Sequence, residues 1–121
     1  MSLAGTRVFI VEDEALILFS LQDMLADLGC EVVASALRID DALAQVGELA
    51  FDIAILDVNL DGEEVFPVAD LLVKRGLPFV FVTGYGEGSL PDAYRAHPAL
   101  QKPFQSEQLK STLAELLAAE A

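Results

Sequence analysis

Short apolar runs alternate along the chain with longer segments in which apolar residues recur at helical spacing. The apolar runs predict buried strands at residues 7–11, 31–36, 53–56, 78–83 and 99–101. Segments of helical periodicity lie between them, at residues 15–28, 40–49, 64–74 and 106–119, with room for only a short helix at residues 91–96. Strands that alternate with helices predict one α/β domain, with a parallel sheet, right-handed crossovers and helices on both faces.

The third apolar run indicates where a functional site would lie. Residues 53–56 are apolar without interruption, and Asp57 follows them directly, before a polar turn that contains Gly62. Such a run is typical of a strand that is buried on both faces of a sheet. In open α/β sheets, ligands bind just beyond the carboxyl ends of the strands. Asp57 therefore marks the expected position of a site.

Composition and charge narrow the class of protein. The sequence has 121 residues, which suits a single domain, and 54% of them are hydrophobic, with a mean hydropathy of +0.47. The formal net charge is −13, from 20 acidic and 7 basic residues. Such a surface repels phosphate backbones and anionic lipids, so direct binding to nucleic acid or to a membrane is not expected.

The single cysteine and the start of the sequence bear on the cellular compartment of the protein. Cys30 is the only cysteine in the sequence, which excludes an internal disulfide or a cysteine-rich zinc site and fits a reducing compartment. The sequence has no bilayer-spanning apolar run and no signal-peptide pattern at its start, so a cytoplasmic location is expected. Residues 1–5 are interpreted as a disordered start or a cloning scar, and residues 6–119 as the domain.

Polar side chains stand at the ends of four predicted strands. Glu12 and Asp13 follow the first strand, Asp57 the third, Thr83 the fourth and Lys102 the fifth. Because parallel strands share one carboxyl edge, these five side chains should converge. Three carboxylates this close repel one another unless a cation lies among them. Oxygen ligands without clustered His or Cys favour a hard ion, which predicts Mg²⁺ rather than zinc.

The same residues suit phosphoryl transfer. A carboxylate such as Asp57 can act as a nucleophile and become an aspartyl phosphate. The equatorial oxygens of the phosphoryl group then need charge neutralisation, which the metal ion, Lys102 and the Thr83 hydroxyl can supply.

Each of these features has a simpler explanation when it is taken alone. Glu12 and Asp13 could cap the following helix, and Asp57 could be an ordinary turn residue. The stretch from Asp57 to Gly62 also fits the first half of an EF-hand loop. That reading fails because the twelfth position is Val68 instead of Glu, and a strand rather than a helix precedes the stretch. The combination of residues, in this order on successive strands, is what points to a specific site.

The combined pattern resembles a known family. The set Glu12-Asp13, Asp57, Thr83 and Lys102-Pro103-Phe104 resembles the receiver domain of two-component response regulators, over residues 6–119. The resemblance implies a flavodoxin-like fold with five parallel strands in the order 2-1-3-4-5. More narrowly, residues 78–86 (Pro-Phe-Val-Phe-Val-Thr-Gly-Tyr-Gly), with Pro91, Pro98 and the Lys-Pro-Phe stretch, look like the FAT GUY subfamily of single-domain regulators.

The resemblance implies a role for each residue of the set. Asp57 would accept a phosphoryl group from a histidine kinase or a phosphotransfer protein. Asp13, Asp57 and the backbone carbonyl of Asn59 would bind Mg²⁺, with Glu12 assisting through water.

The resemblance also assigns roles to the remaining strand-end residues. Lys102 would pair with the phosphoryl group, and Thr83 would move to hydrogen-bond it on activation. The peptide bond between Lys102 and Pro103 is expected to be cis, which aims the lysine. The chain would then be a signalling domain that catalyses only its own phosphorylation and dephosphorylation, and not an enzyme in the ordinary sense.

Departures from the common receiver pattern concern the switch more than the chemistry. Ala99 stands three residues before Lys102, where most receivers carry a Tyr or Phe that rotates on activation. Asp61 stands where many receivers have a proline. The span from Thr83 to Lys102 is a few residues short, which predicts a stunted or mobile fourth helix. Tyr85, two residues after Thr83, is the nearest large side chain that could report activation where Ala99 is too small.

Two alternatives from other classes stay open. A Mg²⁺-dependent phosphohydrolase could use Asp57 as its nucleophile, but it would need a general acid two residues further on, where Asn59 stands. A degenerate receiver could serve only as a binding scaffold. For a receiver, we expect a downstream protein partner as the output. A weak homodimer stays open, as does the question of whether the chain stands alone or belongs to a longer protein.

Overall fold

The computed structural model describes residues 3–84 and 90–120. The strands are β1 (Arg7–Val11), β2 (Glu31–Ala36), β3 (Ile53–Asp57), β4 (Asn59–Leu60), β5 (Glu63–Glu64), β6 (Phe79–Thr83) and β7 (Ala99–Gln101). The helices are α1 (Ala15–Asp27), α2 (Ile39–Glu48), α3 (Phe66–Lys74) and α4 (Ser106–Glu120), with a 3₁₀ turn at Asp92–Tyr94. None of the described helices is long and apolar enough to cross a membrane.

Five strands form one parallel sheet in the order β2-β1-β3-β6-β7. This is the predicted order 2-1-3-4-5 once the short strands β4 and β5 are left out of the count, so the predicted flavodoxin-like fold is confirmed. Every residue of β3 is buried, and the register places Asp57 opposite Val82 of β6. The chain reverses its direction of travel across the sheet between β1 and β3, which opens a crevice beyond their carboxyl ends.

The helices cover both faces of the sheet. On one face, α2 and α3 pack against it through Ala42, Val46, Val68, Ala69 and Leu72. On the other face, α1 and α4 pack through Leu18, Leu21, Leu25, Leu109 and Leu113. Because the central strands are covered on both sides, their sequences are continuous apolar runs rather than alternating patterns.

A β-hairpin between β3 and α3 is not predicted by the apolar pattern. Its strands β4 and β5 are antiparallel, and Asp61 and Gly62 form the turn. Both turn residues have positive φ, 50° and 90°, as a type I′ turn requires, and Asp-Gly is a favoured pair for it. The hairpin delays the next helix, so that α3 begins at Phe66 and not at residue 64 as predicted.

The first described residues belong to the folded domain. Leu3 is 4% exposed and lies in the same core cluster as Cys30, whose thiol donates to the Leu3 carbonyl at 3.7 Å. The N–H of Gly5 donates to the carbonyl of Gly29 at 2.9 Å. Residues 3–5, which the sequence analysis places in a disordered start or a cloning scar, are therefore anchored to the domain by a buried side chain and paired backbone groups.

The described part of the connection from β6 to β7 contains a 3₁₀ turn at Asp92–Tyr94. Tyr94 stacks on Phe66 of α3, with ring centroids 4.3 Å apart, and its hydroxyl donates to Asp70 at 2.7 Å. His97 packs against Phe79, with ring centroids 4.6 Å apart. Aromatic contacts therefore hold the second half of this connection against α3 and β6.

Candidate functional site

The carboxyl edge of the sheet brings the predicted acidic residues together. Glu12 and Asp13 follow β1 directly, and Asp57 is the last residue of β3. The three side chains present carboxylate oxygens that all lie within 4.8 Å of one another. Because β1 and β3 are adjacent and parallel, this convergence follows from the topology of the sheet.

Lys102, which directly follows β7, lies beside the three carboxylates. Its Nζ lies 3.3 Å from Glu12 Oε2 and 3.5 Å from Asp57 Oδ1. The N–H of Lys102 donates to the carbonyl of Thr83 at 2.8 Å, which ties the end of β7 to the end of β6. The peptide bond from Lys102 to Pro103 is cis, as expected from the sequence.

Glu12 forms the floor of this cluster. It is 1% exposed, its Oε1 accepts the N–H of Glu14 at 3.1 Å, and its Oε2 faces Lys102. Above it lies an open cleft with a volume of about 350 Å³, which we call the carboxylate cleft. It is lined by Asp13, Glu14, Asp57, Asn59, Asp61, Gly62, Gly84 and Lys102.

Burial and charge act in opposite directions on the two partners of the Asp57–Lys102 pair. Burial raises the pKa of Asp57 to about 7, and the negative charge of Glu12 adds to this, while Lys102 opposes it. Burial by itself would lower the pKa of Lys102, but the charges of Asp57 and Glu12 outweigh burial and raise it. One ammonium group does not balance three carboxylates. The all-oxygen cluster therefore fits a hard divalent cation such as Mg²⁺.

The hairpin orients the backbone of Asn59. The N–H of Val65 donates to the carbonyl of Val58 at 2.9 Å, whereas the N–H of Val58 donates to Val82 of β6 at 3.0 Å. The two-residue turn closes on Leu60 and Glu63, which form the hydrogen-bonded pair of a type I′ turn. Bonded and non-bonded pairs alternate along an antiparallel ladder, so the adjacent Asn59–Glu64 pair is non-bonded. The Asn59 carbonyl consequently points away from β5 and is not used within the hairpin. Its side-chain Oδ1 accepts the N–H of Gly62 at 2.8 Å.

Thr83 lies at the same edge, as predicted. It ends β6, is 2% exposed and follows Val82, which lies opposite Asp57. The next residue, Gly84, lines the carboxylate cleft.

Of the two residues considered as switches, Ala99 lies within the described residues and does not line the cleft. Tyr85 lies outside the described residues. Ala99 begins β7, is partly buried and pairs in register with Phe81. Its contacts are with the core on the α3 side of the sheet.

Several parts of the site were missed from the sequence. Glu14 fixes Glu12 through its backbone and lines the cleft, but no sequence signal separates it from an ordinary acidic helix start. Gly62 also lines the cleft, and here a signal exists, since Asp61-Gly62 is a favoured type I′ turn.

Comparison with known proteins identifies the family. A family model described as the response regulator receiver domain matches residues 8–114. The chain belongs to this family. As a receiver, it is a signalling domain of two-component systems, in which phosphorylation and Mg²⁺ binding are general features.

Individual relatives agree with this assignment. The sensory transduction protein LytT of Bacillus subtilis (strain 168) is 36% identical over 112 residues, which cover 88% of this chain and 46% of LytT. The receiver spans about half the length of the curated relatives it matches.

Solved structures of receivers are also similar. The solution structure of SdrG from Sphingomonas melonis Fr1 is 45% identical, with a TM-score of 0.84 over 97% of this chain and 99% of SdrG. The crystal structure of the response regulator PhyR from Brucella abortus is 30% identical, with a TM-score of 0.83 over 97% of this chain and 49% of PhyR.

Proposed function

We propose that this receiver accepts a phosphoryl group on Asp57 from the phosphohistidine of a histidine kinase or phosphotransfer protein, in a reaction that requires Mg²⁺. The observation that carries the proposal is the position of the Asp57 carboxylate. It lies at the end of a fully buried strand, beside an open cleft, 3.5 Å from Lys102 Nζ and within a cluster of three carboxylates.

In the proposed reaction, an ionised oxygen of Asp57 attacks the phosphorus of the phosphohistidine. The P–N bond breaks, the imidazole leaves with the bonding electron pair, and an acyl phosphate forms on Asp57. Lys102 pairs with the oxygens of the transferred group, because its ammonium already faces Asp57. The Thr83 hydroxyl, at the end of the neighbouring strand, donates a hydrogen bond to the same group.

The metal site uses residues that the fold already groups. Asp13, Asp57 and the backbone carbonyl of Asn59 would hold Mg²⁺, and Glu12 would assist from the floor of the cluster. When bound, the ion neutralises charge on the carboxylates and on the phosphoryl oxygens. Asp57 benefits most, because its raised pKa otherwise leaves part of it protonated, and therefore not nucleophilic, at neutral pH.

An exposed apolar surface next to Lys102 supports a protein as the donor. On α1, Leu16 is 83% exposed and Phe19 is 58% exposed. A largely apolar groove of about 390 Å³ runs from Leu16 and Met24 to Phe104, and Lys102 lines it as well as the carboxylate cleft. Large apolar side chains exposed together are typical of protein contacts, so a donor protein bound here would reach Asp57.

The output we propose is a change in binding to a downstream protein. Among the similar structures, PhyR from Bartonella quintana is described as an anti-anti-sigma factor, which is a protein-binding role. In this receiver, Thr83 would pass the signal to the loop that contains Tyr85, since Ala99 is too small to do so by rotation. Partner affinity measured with and without beryllofluoride tests this. Loss of the affinity ratio in Thr83→Ala but not in Tyr85→Ala would exclude Tyr85.

Labelling by a small phosphodonor tests the phosphorylation itself. With acetyl phosphate and Mg²⁺, the intact mass should rise by one phosphoryl group, and hydroxylamine should remove it. Asp57→Asn should not be labelled, whereas Asp23→Asn, which removes an exposed carboxylate on α1, should be labelled as fully as wild type. Full labelling of Asp57→Asn would overturn the proposal.

Phosphate release and partner binding, measured beside labelling, separate the receiver from the two alternatives. A hydrolase would release phosphate continuously from a phosphomonoester, but the residue two after Asp57 is Asn59, whose side-chain oxygen is occupied by the Gly62 N–H. A binding scaffold would bind its partner equally well in Asp57→Asn and would not be labelled.

A further inference from the structure

A second groove lies beside the carboxylate cleft, between the β4–β5 hairpin and the start of α2. We call it the acidic groove; its volume is about 560 Å³. Its apolar lining comes from Leu37, Ile39 and Leu60, and carboxylates of Asp40, Asp61 and Glu63 stand around it.

The apolar lining is partly open to solvent. Ile39 and Leu60 are buried, but Leu37 is 52% exposed on the loop between β2 and α2. An exposed leucine at the side of a groove contributes apolar contact area to whatever binds there.

The charges around the groove are unbalanced. Besides the three carboxylates already named, Asp13 and Arg38 line it, which gives four carboxylates against one guanidinium. Within residues 3–84 and 90–120, none of these five side chains is in an ion pair shorter than 4.0 Å. The groove is therefore left with a negative field that a basic partner would complement.

The acidic groove is continuous with the carboxylate cleft. Asp13 and Asp61 line both of them. A protein that brings a phosphohistidine to Asp57 must therefore cover part of the groove or pass directly beside it. A groove with this charge repels nucleic acid and small anions, but it attracts a polypeptide with basic side chains.

We propose that the acidic groove binds a segment of the phosphodonor protein in which basic residues are interleaved with apolar ones. The basic side chains pair with Asp40 and Glu63, and an apolar side chain packs on Leu37. This contact selects the donor, whereas the chemistry stays at Asp57. The inference rests on the proposed phosphoacceptor function, because it names the protein that supplies the phosphoryl group as the occupant.

Peptide binding tests the groove without any phosphorylation. The probe is a short fluorescein-labelled peptide of interleaved Lys and Leu, measured by anisotropy. Asp40→Asn/Glu63→Gln should raise its Kd about fivefold, in line with the loss of two exposed charge pairs. The matched control Glu48→Gln/Glu107→Gln removes the same net charge elsewhere, on exposed helical positions, and should change the Kd less than about twofold.

A second pair of variants tests the apolar wall. Leu37→Ser should weaken the Lys–Leu peptide about threefold, a loss typical of partial burial of one apolar side chain. Val73→Ser changes a side chain of equal exposure, 53%, on α3 and should leave binding unchanged. If both double variants, or both serine variants, weaken the peptide equally, binding follows the overall charge or apolar surface and the groove proposal is wrong.

Phosphoryl transfer then tests the occupant. With a phosphorylated histidine kinase that labels Asp57, the groove variant should need about fivefold more receiver to reach the half-maximal rate. With acetyl phosphate, the groove variant, its charge control and wild type should be labelled at one rate. Absence of acetyl phosphate labelling in wild type would refute the phosphoacceptor function, while the peptide result would still decide whether the groove binds. If the groove variant weakens peptide binding as expected but leaves phosphoryl transfer from the kinase unchanged, the donor protein is not the occupant of the groove.

Discussion

The carboxyl group of Asp57 is held where its ionisation is opposed. Burial and Glu12 favour the protonated form, while Lys102 favours the charged one, and the balance is a pKa of about 7. A carboxyl group in this state is sensitive to a cation, because a divalent ion close to it would favour the charged form.

Stability of the metal-free protein should therefore depend on the ionisation of Asp57. The folded-state pKa is raised above the ordinary 3.8, so the stabilisation from the bound proton is complete below about pH 4 and is lost as the pH rises through 7. Above pH 7, Asp57→Asn should be more stable than wild type by about 2 kcal/mol, because each pKa unit is worth about 1.4 kcal/mol and the open cleft screens part of it.

Urea unfolding in the presence of a chelator, at a series of pH values, measures this difference. Asp23→Asn serves as the control, since an exposed carboxylate should give a curve parallel to that of wild type. A difference between Asp57→Asn and wild type that stays constant from pH 4 to pH 8 would contradict the raised pKa.

Asp13 and Lys102 should affect different steps. Asp13→Ala removes a proposed metal ligand and should weaken Mg²⁺ binding about tenfold or more. Lys102→Ala removes a positive charge beside the carboxylates, so Mg²⁺ binding should be kept or improved, while acetyl phosphate labelling should fall. Calorimetry of Mg²⁺ binding and intact mass after labelling give the two readouts. Loss of Mg²⁺ affinity in Lys102→Ala as large as in Asp13→Ala would show that the roles are wrongly divided.

Sequence reasoning predicts the site residues that stand at strand ends, because parallel topology alone brings them together. It does not predict that Glu12 lies beneath the other two carboxylates, since both it and Asp13 simply follow β1. Their division of roles depends on the side-chain contacts of Glu12 with Lys102 and with the Glu14 N–H, which only the folded structure contains.

At the scale of elements, the β4–β5 hairpin is the main difference between prediction and structure. Its strands have two residues each, too few for an alternating pattern to be recognised. The Asp61-Gly62 turn was nonetheless visible in the sequence. The hairpin matters because it aims the Asn59 carbonyl away from β5, so turn geometry would affect the metal binding that we propose.

Two glycine substitutions with opposite expected signs test the hairpin. Gly62→Ala should destabilise the protein by about 1 kcal/mol, because φ is 90° there and a Cβ is strained even without a clash. Gly47→Ala, in α2, should stabilise by up to about 1 kcal/mol, because helical φ suits alanine and nothing obstructs the Cβ.

Thermal unfolding measures the change in stability of each variant, and Mg²⁺ titration measures the effect on metal affinity. Gly62→Ala should also weaken Mg²⁺ binding, whereas Gly47→Ala should not. Equal Mg²⁺ affinity in the two variants would mean that the hairpin turn does not position a ligand.

At the scale of the whole molecule, strand and helix periodicity was enough to predict a parallel sheet with helices on both faces, because crossover handedness and burial leave few arrangements of alternating elements. The strand order came from the resemblance to receiver domains. Long-range side-chain contacts were not predictable in this way. His97 packs against Phe79 of β6, a contact that no local pattern in the sequence indicates. Leu3 carries no periodic signal because it stands apart from any helix or strand, and only the fold reveals the pocket that it fills.

Because Leu3 packs against Cys30, the reactivity of this thiol can report local opening of the chain start. The sequence contains no tryptophan to report unfolding by fluorescence, but it has a single thiol, which is buried and whose pKa is raised by burial. Alkylation by iodoacetamide should therefore be slow while residues 3–5 are packed, and its rate should depend on how often they detach. Leu3→Ala should accelerate alkylation about tenfold or more, an increase that corresponds to the loss of one buried leucine, whereas Leu37→Ala should not. Equal alkylation rates in the two variants would mean that the thiol is exposed by some other motion.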